Sequence, residues 1–219
     1  MSAPKERPIL FSGPMVRALL DGRKTQTRRI VKPQPHHGPV GQMVNLGGPD
    51  WAIDDGDLSG QWRCPYGVPG DRLWVREAWG LNDYQFERGP IPKARPLQLD
   101  DNVLCYAATE DDAEIRNELR WRPSIHMPRW ASRLTLEITD VRVQRLQDIS
   151  DRGQPNDCIA EGVFADDFAS SAGDWLERGF SSIEKARFHD LWTSINGAAS
   201  WAANPWVWAV SFRVLERAQ

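Results

Sequence analysis

Residues 8–31 read PILFSGPMVRALLDGRKTQTRRIV. Pro8 to Phe11 is a short apolar run and predicts a strand. Ser12 can cap a helix with Pro14 in its first turn, where a missing N–H costs no hydrogen bond. Met15, Val16, Leu19 and Leu20 supply the buried stripe of that helix. Gly22, directly after Asp21, predicts a stop in left-handed backbone. Thr25 to Val31 mixes β-branched and polar residues and predicts a second strand. Strand, helix and strand follow one another with short connections, and the junction between helix and second strand carries the densest run of uncompensated positive charge in the chain.

Beyond Val31 the pattern loosens. Pro33 to Gly70 is rich in Pro, Gly and Asp, and predicts a long excursion with at most short strands around Trp51 and Trp62. Such long loops in a compact domain are commonly functional or disordered. Pro69-Gly70-Asp71 signals a turn, with a strand over Arg72 to Ala78 after it. Asn82 to Asp101 reads as a second irregular insertion, Asn102 to Ala107 as a short strand and Asp111 to Leu119 as a short helix. Pro123 and Pro128 forbid a continuous ladder from Trp121 to Trp130, which predicts an ordered loop. Leu134, Leu136 and Ile138 alternate, and Val141 and Val143 continue in the opposite phase, so a bulge is expected near Thr139-Asp140. Asn156 to Gly162 predicts a short helix. Phe188, Leu191, Trp192 and Ile195 share one face of a helix over 184–195. Trp206, Trp208, Val210, Phe212 and Val214 alternate without a break and predict a final strand. This order predicts an α+β domain around a mainly antiparallel or barrel-like sheet.

Composition narrows the function classes. The chain has 219 residues, 27 Lys+Arg against 30 Asp+Glu and a formal net charge of -3, which excludes a histone-like polycation but not a local basic site. Eleven Trp residues imply a core built largely from flat, bulky rings. No apolar stretch approaches the roughly 18 residues of a membrane span, so no membrane partner is expected. Ile9 to Phe11 is too short for the core of a secretory signal. Three widely spaced cysteines, Cys64, Cys105 and Cys158, argue against a disulfide framework and for a reducing cytoplasm. His36, His37, Cys64 and His126 could be drawn together as metal ligands on paper, but no pair has ligand spacing, so neither metal nor cofactor is expected.

Two basic stretches stand out. Between Asp21 and Asp50 there is no acid, while Arg23, Lys24, Arg28, Arg29 and Lys32 provide five cations. That concentration at a helix-to-strand junction suits a phosphate or another anion, or else a solvated basic strand. From Arg120 to Arg145, six arginines face only Glu137 and Asp140, with Trp121 and Trp130 interleaved. Arginine for phosphate and a flat ring for a base is the usual pairing for single-stranded nucleic acid; core packing is the competing role for the Trp residues. Arg129, Trp130 and Arg133 are its candidate contacts. Glu77, after the Arg72 strand, could accept from a base amino group or pair with Arg76 or Arg29 on the surface. Asp148 to Asp190 carries ten acids and four bases, so the acidic balance is partly local.

Gly22-x-Lys24-x-x-Thr27-x-Arg29 resembles the ASCH-domain signature, in which a Glu commonly stands where Thr27 does here. Pro69-Gly70-Asp71, Ala160-Glu161-Gly162-Val163 and the closing Trp206 to Val214 strand extend the likeness. Pro8 to Ser12 and Ser124 to Arg133 resemble ASCH-domain proteins of phages and prophages. The resemblance covers roughly half of the chain as a single domain over 1–219, with insertions at about 33–70, 82–119 and 165–180. It implies a PUA-like small β-barrel flanked by helices, with a cleft for a nucleoside or single-stranded RNA, in a bacterial cytoplasm. Some ASCH members are metal-independent amidohydrolases of N4-acetylcytidine that use a Lys, a Thr and a Glu. By motif these become Lys24, Thr27 and Glu161, with Arg23, Arg28, Arg29, Glu77, Arg129, Trp130 and Arg133 as binding residues. A non-catalytic module for RNA or a modified base, and a ribonuclease, are the alternative expectations.

Chemically, a threonine hydroxyl needs a base to attack an amide. A desolvated, neutral Lys24 could take that proton; alternatively Glu161 could, with Lys24 stabilising the developing oxyanion. Lys24 and Thr27, three apart, fall on opposite faces of a regular strand. They converge only if Lys24 lies in the turn before it.

Overall fold

The computed structural model describes residues 3–35, 42–54, 60–82, 91, 93–96, 103–153, 156–163 and 174–215. In chain order the strands are β1 (Glu6–Leu10), β2 (Gln26–Ile30), β3 (Gln42–Gly47), β4 (Asp50–Asp54), β5 (Gln61–Arg63), β6 (Arg72–Arg76), β7 (Trp79–Leu81), β8 (Leu104–Tyr106), β9 (Thr135–Arg145) and β10 (Trp206–Val214). The helices are α1 (Gly13–Leu20), α2 (Ala113–Glu118), α3 (Asp157–Ala160), α4 (Asp174–Glu177) and α5 (Ile183–Asn196). The chain forms two compact units: Met1–Asp21, Asp71–Glu137 and Val214–Gln219 in the first, Gly22–Gly70 and Ile138–Arg213 in the second. The fold is α+β, and the chain passes between the units within β9.

In the first unit β1 runs parallel to β6, with Glu6 opposite Arg72 and Leu10 opposite Arg76. β6 pairs antiparallel with the start of β9, Trp74 facing Thr135. Asp71, the end of the predicted turn, ties the edge down: it accepts from the Lys5 amide at 2.9 Å and from Arg7 Nη1 at 2.7 Å. α1 buries Val16, Ala18 and Leu19. Ser12 has the extended backbone of an N-cap but its hydroxyl makes no capping bond; Pro14, in the first turn, has no N–H to offer it. β7 and β8 form an antiparallel pair over Trp79, Leu81, Met127 and Ala131. The Trp121–Trp130 loop is ordered, as expected, by two short 3-10 turns, Ser124–His126 and Arg129–Ala131.

In the second unit the remainder of β9, then β10, then β2 lie in that order. β10 is antiparallel to β2, with Trp208 opposite Arg29 and Val210 opposite Thr27. Trp206 to Val210 are all buried, so the predicted final strand is covered on both faces over this stretch. The Pro33 to Gly70 excursion is more ordered than expected: β3, β4 and β5 form an antiparallel three-stranded sheet within it. β9 runs unbroken through the predicted bulge site, where Thr139 and Asp140 are both exposed and the alternation of buried Leu136 and Ile138 ends. Leu146, Ile149, Cys158, Val163, Phe188, Trp192 and Val207 form the core of this unit. α5 contributes Phe188 and Trp192, but Ile195 is 54% exposed, because it lies in the last turn beyond the cluster that ends at Trp192.

The expected barrel-like closure is not found. Among the described residues the strand order β1-β6-β9-β10-β2 has two unpaired ends, and a barrel requires the last edge to pair with the first. His36 and His37, like most of 165–180 and much of 82–101, lie outside the described residues.

A buried ion-pair network as the candidate functional site

Gly22, at φ +71°, makes the turn that follows α1. Lys24 therefore precedes β2 and escapes the strand's strict alternation. Its backbone neighbour is fixed from two sides: the Thr25 amide donates to the Ala160 carbonyl at 2.8 Å, and the Phe212 amide donates to the Thr25 carbonyl at 2.8 Å. This carries the Lys24 side chain to the end of α3. There Nζ donates to Glu161 Oε2 at 2.8 Å and to the Glu161 carbonyl at 2.7 Å, across 137 residues of sequence. Lys24 is 1% exposed, and burial pushes its pKa below the ordinary lysine value, with Glu161 opposing the shift.

Gln26 and Arg28, two apart on β2, point to the same face. Arg28 Nη1 donates to Glu161 Oε1 at 3.1 Å and also to Gln26, while Nη2 donates to Asp157 Oδ2 at 2.7 Å. Gln26 Nε2 donates to Asp157 Oδ1 and to Ser211 Oγ, both at 3.1 Å. Arg142 of β9 closes the set with a 3.0 Å bond to Asp157 Oδ1. Asp157 and Glu161 can converge because α3 places positions i and i+4 on one side. Asn156 starts that helix by accepting from the Ile159 amide at 3.1 Å, and Ser150 Oγ accepts from the Asp157 amide at 3.1 Å. Burial raises the Asp157 pKa, but the Arg28 charge and the bonds from Arg142 and Gln26 overcome it and hold the carboxyl below its usual range.

Thr27 sits between Gln26 and Arg28, so its side chain faces the other side of β2. It is buried and shares that side with Val210, Arg29 and Trp208. No hydrogen bond joins its hydroxyl to Lys24 or Glu161 among the described residues. Two of the three residues implied as catalytic are thus brought into contact and the third is turned away. Arg28, expected to meet nucleic acid, has a side chain with no exposed surface and is committed to Asp157 and Glu161. Arg23 and Arg29 are half-buried.

A cavity of about 320 Å3 borders this network, lined by Thr25, Gln26, Thr139, Asp140, Arg142, Ala160, Ser211 and Phe212. Thr25, Thr139 and Asp140 at its mouth are exposed, whereas Gln26 and Phe212 are buried in its floor. Gln26 and Arg142 belong both to the cavity and to the network. Sequence reasoning missed Asp157, Gln26, Arg142 and Ser211. The i, i+2 pairing of Gln26 with Arg28 and the i, i+4 spacing of Asp157 and Glu161 were the available signals.

The remaining expected site residues lie in the first unit. Glu77 does not offer its carboxylate to a base. Arg133 Nε and Nη2 each donate to it at 2.9 Å, and the Arg133 guanidinium lies 4.0 Å from the Tyr106 ring centroid. Burial raises the Glu77 pKa and Arg133 counters it. Arg129 is half-exposed, bonds Glu6 at 2.9 Å and lies 5.9 Å from the Trp74 ring centroid, with Arg76 over that ring at 4.6 Å. Trp130 packs edge-on against Trp79 at 5.8 Å. No group of three or more His, Cys, Asp or Glu suited to a metal occurs among the described residues, and none of their helices is long and apolar enough to cross a membrane. No family model matches the chain, and neither does any curated protein or solved structure.

Proposed function

We propose that the chain is an ASCH-like module, built on an open sheet, that binds a pyrimidine nucleoside, free or carried by single-stranded RNA. The observation that carries this reading is the cavity of about 320 Å3 bordered by the elements that hold Lys24 and Glu161. Its volume lies at the lower end of small-ligand sites, suited to one nucleoside. Its lining holds the Asp140–Arg142 pair, 3.2 Å apart, which offers a carboxylate acceptor and guanidinium donors together, with the Ser211 hydroxyl and the Phe212 ring beside it. A cytosine presents the complementary set: an amino donor, ring acceptors and a flat face. The network behind the cavity acts as a rigid floor. Lys24, Arg28, Asp157 and Glu161 hold one another in place, so they shape the site rather than react in it.

Hydrolysis of an N4-acylated cytidine is the second reading, and the direct Lys24–Glu161 contact favours it. A lysine with a lowered pKa beside a carboxylate can shuttle a proton. The attacking oxygen would then come from water on the cavity side, since Thr27 faces away.

The test is calorimetric titration of cytidine, N4-acetylcytidine and a short single-stranded RNA, with product analysis on the acylated nucleoside. Thr139→Trp should plug the cavity mouth and abolish nucleoside binding with little effect on the melting curve, because Thr139 is exposed. Wild-type protein that binds no pyrimidine nucleoside overturns the module reading. Turnover that survives Thr27→Ala and is lost in Thr139→Trp selects the hydrolase.

A further inference from the structure

A larger cavity lies elsewhere in the second unit, in the stretch that the sequence marked as acidic. It measures about 610 Å3 and is lined by Gln147, Arg178, Gly179, Phe180, Ser181, Lys185, His189 and Trp201. That volume is in the middle of the range for small-molecule sites. Phe180 and Trp201 meet at 68° with ring centroids 6.2 Å apart, forming an aromatic corner. A planar ring lying flat on either one meets the other edge-on, the two arrangements aromatic pairs favour. His189 adds a third ring, 5.0 Å from Phe180 and 5.2 Å from Trp201.

The corner is edged with cations, and their partners differ. Arg178 is spent on Asp190, which it grips with both Nη atoms, and stacks over Phe180 at 5.0 Å. Asp190 also holds His189 Nδ1 at 2.8 Å, with Arg178 Nη2 3.1 Å from the same atom; in the protonated ring Nδ1 donates to Asp190 and Nε2–H is left for an anionic ligand. Lys185 gives one of its three ammonium protons to the Gln147 carbonyl at 2.9 Å and has two more to offer. Asp151, the other carboxylate at this wall, accepts from the Ser181 hydroxyl. Ring surface and unspent donors are thus present side by side.

We propose that this cavity binds a planar aromatic ring carrying a phosphate, the chemistry of a nucleoside monophosphate. The ring rests in the Phe180–Trp201 corner and the phosphate meets Lys185 and His189 Nε2. Arg178 and Asp190 are positioning residues that fix the imidazole. The site is separate from the cavity of the proposed function and does not depend on it.

The experiment titrates the full chain with adenosine 5′-monophosphate, adenosine and inorganic phosphate by calorimetry, and repeats the titration on Lys185→Ala, Phe180→Leu and Thr139→Trp. The monophosphate should bind at least about tenfold more tightly than either fragment, since ring and phosphate contribute together. Lys185→Ala and Phe180→Leu should each weaken it about tenfold, with melting curves close to wild type, while Thr139→Trp should leave it unchanged. Absence of monophosphate binding at millimolar concentration overturns the proposal. So does affinity for phosphate alone that equals that of the monophosphate, or binding that neither Lys185→Ala nor Phe180→Leu weakens. Loss in Thr139→Trp also overturns it, by placing the ligand in the other cavity.

Discussion

Replacing Lys24 by Met keeps the apolar stem and removes the ammonium. Glu161 Oε2 and the Glu161 carbonyl then lose donors at 2.8 and 2.7 Å, in a place where Lys24 is 1% and Glu161 5% exposed. Removing one partner of a buried ion pair costs about 3–5 kcal/mol, because the other charge stays desolvated. Among the described residues, the Glu161 carboxylate then keeps the 3.1 Å bond from Arg28 Nη1. For a chain of this size, about 2–4 °C of melting temperature accompanies each kcal/mol, so Lys24→Met should lower Tm by about 6–20 °C. Glu161→Met strands the ammonium instead. Burial already lowers the Lys24 pKa, so this variant can shed the proton, and its stability should recover as pH rises toward 10.5, the ordinary lysine value. The sign follows from linkage: the unfolded chain binds more protons in that window, so stability rises with pH. The double variant should cost less than the sum of the singles, by about 0.5–3 kcal/mol. The assay is urea unfolding of all four proteins. A loss below about 1 kcal/mol for Lys24→Met, or strict additivity in the cycle, would refute the buried pair as the tie between the turn before β2 and α3.

Further predictions follow from the same geometry. The Asp157 pKa is held below its ordinary value of 3.8, so its contribution is complete above that pH and is lost as pH falls through the folded value; Asp157→Asn should be less stable at pH 7 and show a shallower acid limb in unfolding scans. Arg133→Ala leaves Glu77, 1% exposed, without its bidentate donor, and should cost about 3–5 kcal/mol in denaturant melts. Arg133→Lys, a single point charge, should recover only part of that. Burial pushes the Cys158 thiol up to about 12, so it should resist a coloured disulfide reagent at pH 8 and react only after unfolding. Rapid reaction of Cys158 in the native protein would contradict its place in the core.

The sequence by itself determined the local elements. Residues 8–31 fold as strand, helix and strand because apolar spacing, Pro14 and Gly22 act within a turn or two of themselves. α5 and β10 were legible for the same reason, and so was the turn at Pro69-Gly70-Asp71. The resemblance picked out Lys24 and Glu161, which the fold does bring into contact. Which face of β2 meets α3 was not legible, since a strand of mixed residues reads equally well in either phase. That choice, made by the packing of β2 against α3, put Arg28 in the interior and turned Thr27 away from Glu161. The partners that neutralise the basic junction lie 129 to 137 residues further along the chain. No local preference encodes a contact at that separation; the chain topology sets it, and with it the difference between a basic surface and a sealed ion-pair network. The open sheet, the sheet inside the 33–70 excursion and the aromatic corner at Phe180 and Trp201 were decided the same way, by pairing between segments whose own sequences show no sign of one another.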